Sequence, residues 1–224
     1  MAQKISEIME ALPSWEFLQQ LPQEIDGFQL QQGTGLQGQI LNLAAYVNEA
    51  MHCRLDLTYT TETFDYIPVK TIGLHTFRDE RYFSRDREKF AANMLQHLPE
   101  LIALVDRNHP HEMGWEARSA GFPTWEGWKR LPKQIGNYQL FITPDNPVEY
   151  LNGSMLFLDY TDFATGDQIV WMYNAFRDEI FAEFKCKYFP LTTDEFNAKN
   201  LDELDILLEE KLEKNLLNLS QKSC

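Results

Sequence analysis

The chain of 224 residues carries 20 Lys and Arg against 34 Asp and Glu, a formal net charge of −14, and is 44% hydrophobic and 13% aromatic. That content supports a packed core and excludes wholesale disorder, and the length suits one large domain or two of ordinary size. The charge deficit opposes binding to nucleic-acid phosphates or to anionic membrane, which both need clustered Lys and Arg, and no apolar run approaches the ~20 residues of a bilayer span.

Residues 1–12 place Ile5, Ile8, Met9 and Leu12 at helical spacing, which predicts an amphipathic helix and no export signal. Ser14 is expected to cap a short helix with Trp15, Leu18 and Leu21 as its apolar stripe, and Pro22 ends it by pushing the preceding residue out of the α region. An extended segment starts at Phe28 and breaks at Gly33 and Gly35. Strands are expected over 40–46, 54–59 and 69–77; the alternation of 54–59 predicts one face open to solvent or a groove. The mixed-charge run 78–89 reads as a solvated helix face. Ser84 is expected to cap a helix from Arg85, with Phe90, Met94, Leu98, Ile102 and Val105 among its apolar positions and Pro99 kinking or splitting it.

Residues 107–118 have linker composition. Beyond them the opening text returns: residues 12–30 align without a gap to residues 122–140. Eight of the 19 pairs are identical, among them Trp15 with Trp125, Glu16 with Glu126 and Pro22 with Pro132. This pattern reads as a tandem duplication of a unit of about 100 residues. Thr124 takes the place of Ser14 as the expected cap, with Trp125, Trp128 and Leu131 as the stripe. Strands are expected over 138–142, 154–160, 168–173 and 179–188, with a hairpin turn over 161–167 and Gly166 at positive φ. Asn200 and Glu203 form a capping-box-like start for a last helix whose Leu201, Leu204, Leu208, Leu212, Leu216 and Leu219 are assigned to core packing.

The expected fold class is α+β. Two copies of a helix–antiparallel sheet–helix unit, residues 1–106 and 119–224, are joined by the linker 107–118 in a pseudo-twofold arrangement. If the sheets meet edge to edge they make one continuous curved sheet with helices on one face.

Catalytic signatures are weak throughout. Gly33-Thr34-Gly35-Leu36-Gln37-Gly38 has the letters of a dinucleotide-binding turn but runs into a strand instead of a helix. His109, His111 and Glu112, with Asp106 upstream, are the candidate metal ligands, although Pro110 and the spacing depart from a zinc site. Asp159, Asp162 and Asp167 lack the rhythm of a calcium loop. Cys53, Cys186 and Cys224 are too few and too scattered for a disulfide framework or a zinc site, which fits a reducing cytoplasm, and Cys53 and Cys186 read as buried thiols. No cofactor is expected. Trp15, Glu16, Trp125, Glu126 and Trp128 are the residues assigned to a groove or interface.

The leading functional expectation is a cytoplasmic, non-enzymatic ligand- or protein-binding module that uses the groove between the repeats or an open sheet face. Its partner is a protein or a small molecule, not nucleic acid or membrane, and the sequence does not distinguish monomer from homodimer. One alternative is an acidic, immunity-type neutraliser of a basic protein, with Asp and Glu gathered on one face. Another is an enzyme with an unmarked acid/base site where His75, His97 or carboxylates converge.

Overall fold

Antiparallel strands joined by tight turns are the commonest element of a computed structural model that describes residues 5–108, 113–149, 154–191, 193–219 and 221. The chain divides into two compact units, residues 1–108 and 109–224. Both combine helices with an antiparallel sheet, so the fold is α+β.

The first unit opens with α1 (Ile5–Ala11), a 3-10 turn (Leu12–Ser14) and α2 (Glu16–Gln20). Six strands follow: β1 (Glu24–Ile25), β2 (Phe28–Gln37), β3 (Ile40–Asn48), β4 (Cys53–Thr60), β5 (Asp65–Ile72) and β6 (His75–Arg78). They pair in chain order, and α3 (Arg87–Ala103) closes the unit. Trp15 anchors the helical start: its ring lies 4.9 Å from Phe17 and 5.9 Å from Tyr66, which stacks at 5.5 Å on Phe90 of α3. Burying such rings against one another is the largest stabilising contribution a small core has.

Local chemistry moves several expected boundaries. Ser14 does not cap α2; it ends the 3-10 turn, and its hydroxyl donates back to the Ala11 carbonyl. The cap of α3 is Asp86, whose carboxylate accepts from Lys89 N at 2.8 Å, while Ser84 supports the approach by accepting from Asp86 N. Pro99 sits inside α3 without splitting it. The segment 69–77 is not one strand, because Gly73 takes a positive φ of 60° and turns β5 into β6. The charged run 78–89 lies mostly before the helix. Asp79, 5% exposed, accepts from Arg81 N and from Nε and Nη2 of the Arg81 guanidinium, and pairs with Lys70 at 3.1 Å.

The second unit has α4 (Trp115–Ser119), where linker was expected, and then 3-10 turns over Phe122–Thr124 and Gly127–Arg130. Its strands are β7 (Gln134–Ile135), β8 (Tyr138–Leu140), β9 (Val148–Glu149), β10 (Ser154–Asp162), β11 (Asp167–Asn174), β12 (Glu179–Cys186) and β13 (Phe189–Leu191). The sheet order is β13-β12-β11-β10-β8-β7, with β9 also on β10, and α5 (Leu201–Leu219) ends the unit. Asn200 caps α5 by accepting from Glu203 N at 2.9 Å, and Glu203 reaches back to Lys199 N. Leu204, Leu208, Leu212, Leu216 and Leu219 are buried against Trp171, Phe157 and Phe196. Among the described residues the strands form two sheets, not one continuous sheet.

Several contacts of the first unit resemble contacts of the second. Tyr46 OH donates to Pro22 O at 2.7 Å, and Tyr160 OH donates to Pro132 O at 2.5 Å. A bulge at Leu43 between β3 and β4 has its counterpart at Phe157 between β10 and β11. The bridge Tyr66–Ser84 is matched by Ile180–Ala198. Thr124 Oγ1 donates to Gly121 O, as Ser14 does to Ala11 O.

A tie between two elements marks the second unit: Gly127 is buried in the second 3-10 turn, where it faces Asp205 of α5. A Cβ on Gly127 would stand 1.9 Å from Asp205 Oδ1, so only glycine leaves room for the Trp125 Nε1 donation to Asp205 at 3.0 Å. Arg130 closes the other oxygen at 3.2 Å. Trp15 Nε1, by contrast, is buried without a hydrogen-bond partner among the described residues. Asp205→Ala is expected to destabilise the protein by about 1–2 kcal/mol, because it orphans the buried indole N–H. Urea unfolding monitored by Trp fluorescence checks this, and a midpoint equal to wild type would refute it.

Candidate functional site

The five residues assigned to a groove separate by burial. Trp15 is 4% and Trp125 7% exposed, so both are core anchors. Arg87 lies over the Trp15 ring at 5.2 Å, a cation–π contact that seals the indole from solvent. Glu16 is exposed at the first position of α2, where an anion meets unpaired backbone N–H groups. Glu126 is exposed and pairs with Lys129 Nζ at 2.7 Å. Trp128, half-buried, lines a cleft.

That cleft, of about 380 Å³, lies on the second unit. Phe122 and Trp128 give it aromatic walls, Pro123 and Pro144 rigid edges, and Arg118 of α4 and Lys129 of the second 3-10 turn bring positive charge. Arg118 is exposed and forms no ion pair among the described residues. Asp145 also borders the cleft, with its carboxylate engaged by the Thr143 hydroxyl. The walls are held from below: Phe122 packs edge-on to Phe157 at 4.6 Å, and Trp125 and Arg130 flank the turn through Asp205. Two cations beside an aromatic surface can hold a group that combines an apolar face with negative charge. Neither Arg118 nor Lys129 is marked by any spacing in the sequence; different elements bring them together.

The remaining candidates have structural employment or lie outside the described residues. His109, His111, Glu112 and Cys224 fall outside them. Asp106 is buried and accepts from Asn108 N at 2.9 Å. Among the described residues no group of three or more His, Cys, Asp or Glu could hold a metal. Asp159 accepts from Ile142 N at 3.0 Å and from Gln168 at 2.9 Å; Asp162 caps its hairpin through Ala164 N; Asp167 accepts from Lys187 N. All three thus serve the backbone around a turn where Gly166 takes a φ of 78°. Lys185, beside them on β12, is pushed below its ordinary value by burial.

The glycine run 33–38 belongs to the β2–β3 hairpin and not to a helix N-terminus. Cys53 is a buried free thiol whose pKa burial drives up to about 11, so it is not poised as a nucleophile. Cys186 is buried and disulfide-bonded, which corrects its reading as a free thiol. His75 is buried in β6, and His97 on α3 sits 3.3 Å from Glu100; neither lines the Trp128 cleft.

The alternation expected over 54–59 is corrected, and the central strands of the second sheet are covered as well. Every residue of β10 and seven of eight in β11 are buried, and β4 shows only Arg54 and Asp56 part-exposed, tied to each other by a two-point ion pair. No described helix is long and apolar enough to cross a membrane.

No family model, curated protein or solved structure matches the chain.

Proposed function

We propose that the protein is a non-enzymatic binding module that holds a small molecule or a protein segment in the Trp128 cleft. The observation that carries this reading is the convergence of Arg118, Lys129, Phe122 and Trp128 on one open recess of about 380 Å³. The occupant it suits has an apolar, flat portion and a negative charge, and partners other than nucleic acid and membrane belong to the same reading. Native mass spectrometry of the chain exposed to a small-molecule extract of its own cells tests it. Wild type is expected to retain a ligand that Trp128→Ala binds at least about tenfold more weakly, as befits an aromatic anchor. Equal retention by the two proteins would remove the cleft from consideration.

The duplication is part of the same proposal. Two units of matched element order, residues 1–106 and 119–224, are supported by the Tyr46–Pro22 and Tyr160–Pro132 hydrogen bonds and by the paired bulges at Leu43 and Phe157. On this view the binding cleft is an acquisition of one copy. The position matching Trp128 is Leu18, and the positions matching Lys129 and Arg130 are Gln19 and Gln20.

The neutraliser reading is favoured by one observation. The outward face of α5 exposes Asp202, Glu203, Glu209, Glu210 and Glu213 against a single exposed cation, Lys214. Such a face attracts a basic partner and speeds its encounter, with strong dependence on salt.

A further inference from the structure

Four charged side chains stand at or beside the Trp128 cleft, and they are not equally available to a ligand. Lys129 Nζ is held by Glu126 at 2.7 Å. Asp145 at the rim is engaged by the Thr143 hydroxyl. Arg118, exposed on α4, has no ion pair among the described residues. Two positive and two negative charges leave the recess close to neutral. One added negative charge is met by Arg118, whereas a second would face Asp145 and Glu126 with no further free cation among these four. The exposed Lys129–Glu126 pair is weak and screened, so Lys129 contributes field and Arg118 contributes contact. A guanidinium is a planar fork whose N–H groups match the two oxygens of a carboxylate.

The apolar side of the cleft is held rigidly. Phe122, 1% exposed, is fixed by Phe157 at 4.6 Å and Tyr173 at 5.1 Å. Pro123 and Pro144 have φ locked by their rings. Trp128 rides on a turn tied on both sides to Asp205 of α5, through Trp125 Nε1 at 3.0 Å and Arg130 at 3.2 Å. A flat ring seated against Trp128 gains apolar burial and stacking. The volume of about 380 Å³ lies near the lower end of the range of roughly 300–1,000 Å³ found for small-molecule sites. That size suits a mono- or bicyclic acid better than a nucleotide.

We infer that the cleft selects a small aromatic carboxylic acid bearing a single negative charge, with its ring against Trp128 and its carboxylate on the Arg118 guanidinium. Arg118 is then the residue that sets specificity. Naming this class rests on the reading of the Trp128 cleft as a ligand site and goes beyond it by fixing the charge and the head group. A phosphate monoester of the same ring brings a second charge towards Asp145 and Glu126, and such repulsion discriminates between ligands of one shape.

Calorimetric titration of the full chain with benzoate, 2-naphthoate and indole-3-acetate tests this. At least one acid is expected to bind saturably at one site, about tenfold more tightly than its neutral amide and than the phosphate ester of the same ring. Arg118→Lys keeps the charge and loses the fork, and it should weaken binding about tenfold; Arg118→Gln loses both and should weaken it further. Lys214→Gln, on α5, should leave the affinity unchanged. Circular dichroism and the thermal midpoint show that each variant is folded. Equal binding of acid, amide and phosphate ester overturns the inference, as does wild-type affinity in both Arg118 variants. Tighter binding of a hexapeptide with a free C-terminal Trp also overturns it, by giving the cleft to a chain terminus. If no acid binds while a cell extract still yields a ligand that depends on Trp128, the acid class is wrong and the cleft stands. If the extract yields none either, both fall.

Discussion

Gly33→Ala is expected to cost about 3–4 kcal/mol of folding stability, more than any other single methyl group added on the first sheet. At this point β2 carries two residues, Gly33 and Thr34, opposite Leu43 alone, because the register jumps from the Gln32–Ala44 pair to the Gly35–Asn42 pair. A Cβ on Gly33 would stand 2.2 Å from the Asn42 carbonyl oxygen and 2.5 Å from the Leu43 carbonyl carbon. Those atoms are backbone of a central strand and cannot rotate aside as a side chain can. The strand must move, and Leu43 is itself the bulged residue against β4, so movement spreads to the next pairing. Urea denaturation should show a lowered midpoint with an unchanged slope. A loss below about 1 kcal/mol would show that the bulge yields easily.

The second large effect is expected at Asp79. Its side chain is 4% exposed and holds Lys70 and Arg81, which are 19% and 58% exposed. Burial alone would raise its pKa; the Arg81 hydrogen bonds and the Lys70 charge outweigh that and hold the carboxyl at about 2, below the ordinary 3.8. A folded-state pKa below the unfolded value means that ionised Asp79 stabilises the fold. The contribution is complete above about pH 4 and is lost as the pH falls towards 2, and a displacement of this size corresponds to about 2 kcal/mol. Asp79→Asn should therefore lower stability by about 2 kcal/mol at pH 7 and flatten the acid limb between pH 4 and 2. Parallel unfolding curves at pH 7 and pH 3 measure both. A variant that loses as much stability as wild type over that range would show that the acid sensitivity arises elsewhere.

Much of the fold can be read from residue order because it depends on short-range rules. The leucines of α5 recur at three and four, Asn200 and Glu203 close its first turn, and Pro22 and Pro132 stop the preceding helical segments at Leu21 and Leu131, both extended. The structure departs from the expected boundaries where two local signals compete. Ser14 offers a cap, but Pro13 favours a 3-10 turn in which the hydroxyl serves Ala11 instead. Ser84 and Asp86 both offer caps two residues apart, and the carboxylate wins at the helix start. Gly73 was hidden within a continuous β-forming run, although two-residue turns at glycine are a recognised hairpin signal.

The candidate sites were less legible, and the reason is geometric. Trp15 and Trp125 stand out in the sequence as repeated, rare residues, yet repetition here marks a core contact made in both units. Arg118 and Lys129 carry no motif, since they are drawn from separate elements, α4 and the second 3-10 turn.

By itself the sequence determined the α+β class, the cap of the last helix, the stop of the first short helix at Pro22, and the repeated text 12–30 and 122–140, because each follows from residues within a few positions of one another or from direct comparison of letters. Only the tertiary structure decided that the central strands β10 and β11 are buried on both faces, that Gly127 makes room for the Trp125–Asp205–Arg130 tie, and that Arg118 and Lys129 meet at the Trp128 cleft. Those outcomes depend on which residues meet across sequence separations of up to 80 positions, as Trp125 and Asp205 do, and chain entropy opposes such contacts until a packed core holds both partners in place.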